Sequence, residues 1–196
     1  QKSWNMGQGW FSRLALGYFE IAYAGAALET LYYPVSANWA LGFEIASVLK
    51  RKYYGLGLTR HARKFIGLTT TYVDFWGLQY FVNFHYDLKP LEVDFYISVG
   101  QFLAKDKGVR FEATKYFKSG FRLGIWCTVT NGKDRIHNRE YYDKGFAFSL
   151  PLDMFMNRSS RTRVGYAMSA WLRDVGAKAA TGKELFPILN DERKIY

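Results

Sequence analysis

The chain has 196 residues, of which 49% are hydrophobic and 19% aromatic, yet its mean hydropathy is only -0.20, so its apolar residues are dispersed. A net charge of +10 would suit nucleic acid, anionic lipid headgroups or an acidic polymer, and charge alone does not choose among these partners. No stretch approaches the length of a transmembrane helix, and the single cysteine, Cys127, excludes an intrachain disulfide and a cysteine-based metal site.

Residues 1–10 are polar and contain glycine, which predicts a lead-in. Beyond them, apolar and polar residues alternate with the period of two that an extended chain produces. The alternating segments are 12–21, 26–33, 38–49, 79–87, 143–150 and 162–171. Residues 50–64 are basic and predict a solvated loop with a short irregular strand. The tail, 172–196, does not alternate, and a helix is indicated only over 177–189.

The clearest alternation lies in residues 91–150, where three strand-like segments follow one another. One face of these segments is apolar and carries Leu91, Val93, Phe95, Ile97, Val99, Val109, Phe111, Ala113, Phe121, Leu123, Ile125, Cys127 and Val129. The opposite face carries Glu92, Asp94, Tyr96, Ser98, Arg110, Glu112, Thr114, Arg122, Gly124, Trp126, Thr128 and Thr130. The sequence therefore predicts a sheet with a different solvent on each side.

Periodicity alone does not separate a membrane barrel from a soluble up-and-down barrel with an apolar interior. Aromatic residues at strand ends, as in the girdles of outer-membrane barrels, favour the membrane. They are Trp10, Phe11, Tyr32, Tyr33, Trp39, Phe75, Trp76, Phe102, Tyr116, Phe117, Phe121, Tyr141, Tyr142 and Trp171. We therefore predict an all-β fold over 11–171: an antiparallel up-and-down transmembrane β-barrel, or a part of a larger barrel with roughly ten or eleven strands.

The sequence contains no motif for catalysis, a cofactor or a metal. Its three histidines lie far apart in sequence. The carboxylates Glu92, Asp94 and Glu112 could form an acid/base pair, but Arg110 and Arg122 can neutralise them across neighbouring strands. A ladder of charges lining a lumen is the preferred interpretation, so we expect no enzyme activity and no cofactor.

Seven segments spread over nearly the whole chain resemble the YjbH/GfcD family of exopolysaccharide and capsule biosynthesis proteins. They lie at Ser12–Glu20, Leu28–Pro34, Trp39–Glu44, Gly100–Gly108, Tyr116–Gly124, Asp143–Asp153 and Arg173–Lys178. Family members are longer, and this chain is similar to their C-terminal part. It departs from them before Asp143, where Arg139-Glu140-Tyr141-Tyr142 replaces a glycine-containing segment.

The resemblance implies a non-catalytic outer-membrane β-barrel component of a machinery that secretes exopolysaccharide or capsule. The implied partners are outer-membrane lipid, a polysaccharide, and other secretion proteins or the remainder of a longer barrel chain, with no nucleic acid. An acidic polymer would suit the net charge. The expected lumen contacts are Glu92, Asp94, Tyr96, Arg110, Glu112, Arg122 and Trp126. The alternatives are a soluble ligand-binding β-barrel and an outer-membrane enzyme.

Overall fold

The computed structural model describes residues 1–52, 54–66, 69–132, 134–136, 139–155, 162–169 and 175–194. Most of these residues lie in β-strands. The strands are β1 (Lys2–Gly7), β2 (Trp10–Tyr18), β3 (Tyr23–Tyr32), β4 (Trp39–Arg51), β5 (Leu58–Thr59), β6 (His61–Ile66), β7 (Thr69–Asp74), β8 (Gly77–Leu88), β9 (Val93–Gln101), β10 (Lys107–Tyr116), β11 (Arg122–Thr130), β12 (Asp134–Ile136), β13 (Arg139–Tyr141), β14 (Lys144–Pro151) and β15 (Arg163–Ser169). One α-helix, α1, covers Leu185–Lys194, and short 3-10 helices cover Lys89–Leu91 and Leu152–Met154.

Eleven strands form one antiparallel sheet in the order β1-β2-β3-β4-β8-β9-β10-β11-β14-β15, with β5 paired to β4. Strands that are neighbours in this order also follow one another along the chain, except where a hairpin intervenes. The hairpins are β6–β7, between β4 and β8, and β12–β13, between β11 and β14, and both lie outside the sheet. Within the described residues the sheet is open, because β1 and β15 do not pair with each other. The prediction of an all-β, antiparallel, up-and-down fold is confirmed. None of the helices in the described part of the chain is long and apolar enough to cross a membrane.

The predicted lead-in is wrong, because residues 2–7 form the edge strand β1 and pair with β2. All six residues of β1 are exposed, so neither of its faces needs an apolar pattern. The first strand of the central block also begins later than predicted. Leu91 ends a 3-10 helix, and Glu92 follows with a left-handed φ of 51°, so the strand starts at Val93.

The two faces of the sheet have an inverted pattern of burial. The polar face is buried and carries Arg13, Glu29, Glu44, Gln79, Asn83, His85, Asp94, Ser98 and Thr128. The apolar face is exposed and carries Leu14, Leu28, Leu41, Phe43, Ile45, Val82, Phe84, Phe95, Val99, Phe111, Leu123, Ile125 and Val129. Water-soluble proteins bury their large apolar side chains and expose single ones at scattered positions, whereas here the exposed ones form continuous rows.

The C-terminal segment (residues 175–194, including α1) covers the polar face. Leu185 and Phe186 of α1 pack against Leu31, Tyr33 and Ala40 in an apolar cluster between the helix and the sheet. The backbone of Ala179 exchanges two hydrogen bonds with the side chain of Gln79, at 2.9 and 3.1 Å. The helix predicted over 177–189 is therefore displaced toward the C-terminus, because residues before 185 use their backbone groups to bind the sheet.

The aromatic strand ends separate into two groups. Trp10, Tyr32 and Trp39 pack together on the exposed side, with ring centroids 4.8 and 5.9 Å apart, as a girdle requires. Tyr33 and Phe102 were also predicted to belong to the aromatic girdle, but both are buried. Tyr33 lies beneath the guanidinium of Arg193, and Phe102 packs against Phe81. Trp171 lies outside the described residues.

Candidate functional site

A cavity of about 780 Å³, which we call the main cavity, lies between the polar face and the C-terminal segment. Five of the seven predicted lumen residues line it: Asp94, Tyr96, Arg110, Glu112 and Trp126. They come together because alternation puts them on one face of the adjacent strands β9, β10 and β11. The structure brings Arg122 and Glu92 to other places.

Asp143 organises one end of the main cavity. Its Oδ2 accepts hydrogen bonds from Arg110 Nη1 at 3.1 Å and from Trp126 Nε1 at 3.2 Å. Its Oδ1 accepts one from Ser169 Oγ at 2.8 Å. The sequence placed Asp143 at the start of a strand but gave no reason to select it, because its donors come from three other strands. These contacts fix the indole and the guanidinium in one orientation.

Arg110 is shared between two carboxylates. In addition to Asp143, its Nη2 contacts Glu112 Oε2 at 3.5 Å. Its guanidinium also lies 5.1 Å from the ring centre of Trp126, within the range of a cation–π interaction. Arg110 therefore pairs with Glu112 on the same strand, two positions away, whereas the prediction placed this pairing across neighbouring strands.

Lys178, from the C-terminal segment, is the second cation of the main cavity. Its Nζ lies 2.7 Å from Glu44 Oε2 and 2.8 Å from Glu184 Oε1. Burial acts to lower the pKa of Lys178, but the attraction of Glu184 and Glu44 outweighs burial and holds that pKa well above its usual range. Burial likewise acts to raise the pKa of Glu184, and Lys178 more than reverses this effect, so the Glu184 pKa is lowered.

A stack of three rings forms another wall of the main cavity. The His85 ring lies 4.7 Å from that of Tyr96 and 3.8 Å from that of Phe186, with interplanar angles of 21° and 12°. The Tyr96 hydroxyl donates to Asn83 Oδ1 at 3.0 Å. Because Phe186 belongs to α1, the C-terminal segment completes a stack that the strands begin.

The predicted pairing of Arg122 with carboxylates of neighbouring strands is wrong. Arg122 lies opposite Tyr116 in the register of the sheet and binds Asp191 of α1 instead, with Nη2–Oδ1 at 2.9 Å. Asp94 accepts a hydrogen bond from Asn190 Nδ2 of the same helix at 2.7 Å. Both contacts were missed because nothing in the strand pattern says which side chains of α1 face the sheet.

Glu92 lies apart from the other predicted residues. It lines a second cavity of about 550 Å³ together with Lys89, Tyr116 and Arg193. Its Oε2 is 3.8 Å from Lys115 Nζ, and both side chains are partly exposed to solvent, so this pair contributes little to stability. Among the described residues, no three His, Cys, Asp or Glu side chains are grouped as metal ligands would be.

Comparisons with known proteins agree with the resemblance of the sequence motifs. Residues 1–191 match the YjbH family, described as "Exopolysaccharide biosynthesis protein YbjH". The chain is 29% identical over 191 residues to the protein named "Uncharacterized lipoprotein YjbH" of Escherichia coli (strain K12). That match covers 95% of this chain and 26% of the relative, so the chain spans about a quarter of its relative's length. No solved structure matches. The chain belongs to the YjbH family of exopolysaccharide biosynthesis proteins.

Proposed function

We propose that this chain is part of an outer-membrane β-barrel that helps an exopolysaccharide cross or assemble at the membrane without catalysing a reaction. In this proposal the apolar face of the sheet contacts lipid, and the polar face contacts the polymer. Membership of an exopolysaccharide biosynthesis family supports the role in polysaccharide production or export. The relative is named a lipoprotein, and this name supports attachment to a membrane.

The observation that carries the proposal is the inverted burial of the sheet. Ile125 is 58% exposed on the apolar face, while Glu44 on the polar face is 0% exposed. Contact with lipid would remove the free-energy cost of exposing rows of apolar side chains to water. The paired charged side chains can be buried on the polar face because each is next to a group of opposite charge. The soluble alternative requires the apolar face inside, but Phe95 on that face is 42% exposed, which disfavours it.

The open edges of the sheet fit a chain that is joined to more strands. Unpaired backbone groups are not tolerated in lipid, so β1 and β15 each need a neighbour in the membrane. The remainder of a longer barrel chain or a partner protein is proposed to supply these neighbours. The relative's greater length is compatible with the first source.

Cys127 provides a direct test of the lipid contact, because it is the chain's single cysteine and lies exposed in the middle of β11. A nitroxide attached to Cys127 in reconstituted vesicles should be accessible to oxygen, which dissolves in lipid, and protected from a water-soluble nickel chelate. The control is Ser119→Cys with Cys127→Ser, which moves the label to the exposed turn after β10. Equal access of the nickel chelate to both labels would contradict the lipid contact.

The transport role needs a separate test in cells. Deleting the gene should reduce secreted polysaccharide, and the intact gene should restore it. A variant with Trp126→Ala and Arg110→Ala should fail to restore secretion while still reaching the membrane in normal amounts. Unchanged secretion after deletion would contradict the role even if the Cys127 label lies in lipid.

A further inference from the structure

The main cavity is negatively charged, in contrast to the chain as a whole. The carboxylates in its lining are Glu20, Asp94, Glu112, Asp143 and Glu184, and the cations are Arg110 and Lys178. Five negative and two positive groups give the lining a formal charge of three negative units, whereas the chain carries +10. The positive charge of the chain therefore lies mostly outside the main cavity.

The two cations of the main cavity are already committed to other groups. Arg110 is held by Asp143 and Glu112, and Lys178 is held by Glu44 and Glu184. Four carboxylates and two cations leave these two clusters with two net negative charges. A carboxylate-bearing ligand would have to separate one of these pairs, and breaking a buried ion pair is costly.

Glu112 occupies the position best suited to a ligand. The register of the sheet sets it directly opposite Tyr96 on one side and Trp126 on the other, so the carboxylate stands between two aromatic side chains. Its contact with Arg110 is long, at 3.5 Å, and its side chain is 33% exposed. Aromatic faces attract cations, and a carboxylate between two of them forms a site for an ammonium group.

We propose that the main cavity binds a segment of polysaccharide carrying protonated amino groups, with Glu112 as the carboxylate that contacts an ammonium. This inference rests on the proposed function and names the class of polymer that its polar face would accept. Tyr96 and Trp126 pack against the sugar rings. An acidic polymer, which the net charge of the chain suggested, is repelled by the lining of the main cavity.

Calorimetric titration of the purified chain tests the proposal, in a detergent without a sugar headgroup. The probes are three tetrasaccharides of glucosamine, N-acetylglucosamine and galacturonic acid, at a mildly acidic pH that protonates the amines. The glucosamine probe should bind about tenfold more tightly than the acetylated one, a difference of about 1.4 kcal/mol. Its affinity should fall as salt is added, because salt screens the attraction between charges. The galacturonate probe should not bind.

Glu112→Gln should weaken binding of the glucosamine probe about fivefold or more and leave binding of the acetylated probe unchanged. The matched control is Asp74→Asn, which makes the same change of charge on an exposed hairpin and should leave both affinities unaltered. Equal binding of the amino and acetylated probes without salt dependence in the unmodified protein overturns the amino-sugar specificity, whatever the variants do. Tighter binding of the galacturonate probe than of the glucosamine probe would also overturn the amino-sugar specificity. Neither of these two results would contradict the proposal that the polar face contacts a polysaccharide. If none of the three probes binds, the proposal that the main cavity is a sugar site is wrong. The transport role is tested separately by the deletion experiment.

Discussion

Replacing Lys178 with methionine tests how firmly the C-terminal segment is held on the polar face. The ammonium is the only cation in ion-pair contact with Glu44 among the described residues, at 2.7 Å, and this contact lies outside hydrogen-bond geometry. The other Glu44 oxygen, Oε1, accepts a hydrogen bond from Thr181 at 2.9 Å. Lys178→Met therefore leaves a fully buried carboxylate with one hydrogen bond and no cation.

The expected loss of stability follows from the burial of the groups. Removing one partner of a buried ion pair costs about 3–5 kcal/mol, because the remaining charge stays desolvated. The Lys178 side chain is only 13% exposed, but Glu184, its second partner, is 32% exposed and regains water more easily. We therefore expect the lower end of the range, about 3 kcal/mol.

The assay is equilibrium unfolding in guanidinium chloride followed by tryptophan fluorescence, combined with trypsin digestion of the folded protein. The control is Lys183→Met, because Lys183 belongs to the same segment but is exposed. Lys178→Met should lower the free energy of unfolding, or expose residues 175–194 to trypsin if the segment detaches first. Adding Glu44→Gln should recover part of the loss, since it removes the isolated charge.

Two results would refute this reasoning. In the first, Lys178→Met and Lys183→Met differ by less than about 0.5 kcal/mol and show the same trypsin pattern, as expected of surface substitutions. In the second, Glu44→Gln adds its own full cost to that of Lys178→Met. Additivity would mean that the two side chains do not interact energetically.

Three other predictions concern the lipid contact, pH and packing. Ile125→Lys should destabilise the reconstituted protein by about 2–4 kcal/mol in unfolding titrations if its side chain lies near the middle of a bilayer, whereas an effect below about 0.5 kcal/mol would indicate water. Because the Glu184 pKa is lower in the folded protein, its pair with Lys178 stabilises the fold above the unfolded-state pKa, and acidification through the folded value should release the segment to pepsin, a protease that is active in acid. Gly145→Ala should lower the unfolding midpoint and perturb Trp126 fluorescence, because the added methyl group would clash with the indole of Trp126 and the backbone carbonyl of Met168.

The strands of the sheet were predictable because each has one apolar and one polar face. The segments 38–49 and 79–87 differ from β4 and β8 by only one or two residues at each end. The predicted lead-in, which contains β1, and the β6–β7 hairpin do not show this alternation. β1 and β7 are exposed along their whole length, so burial imposes no alternation on them.

The candidate site was predictable to the extent that it lies on strands. Alternation identified Tyr96, Arg110 and Trp126 as sharing a face, and they line one cavity. It could not identify Lys178 or Asp191, because their positions depend on how the C-terminal segment lies across strands that are distant in sequence. In sequence, the polar residues of this segment look like those of a solvated tail. Their partners on the sheet become evident only in the folded structure.

The position of the C-terminal segment also constrains the order in which the protein folds. Its hydrogen bonds join residues as far apart as Gln1 and Lys183, which are 182 positions apart, and also Asp94 and Asn190, which are 96 apart. Contacts of such long range form only after the intervening chain is ordered, since closing a long loop costs entropy that few contacts repay early. The sheet must therefore assemble while its charged groups are still hydrated. Docking of α1 then expels that water in a late step, and until this step the polar face remains open to any molecule that competes for it.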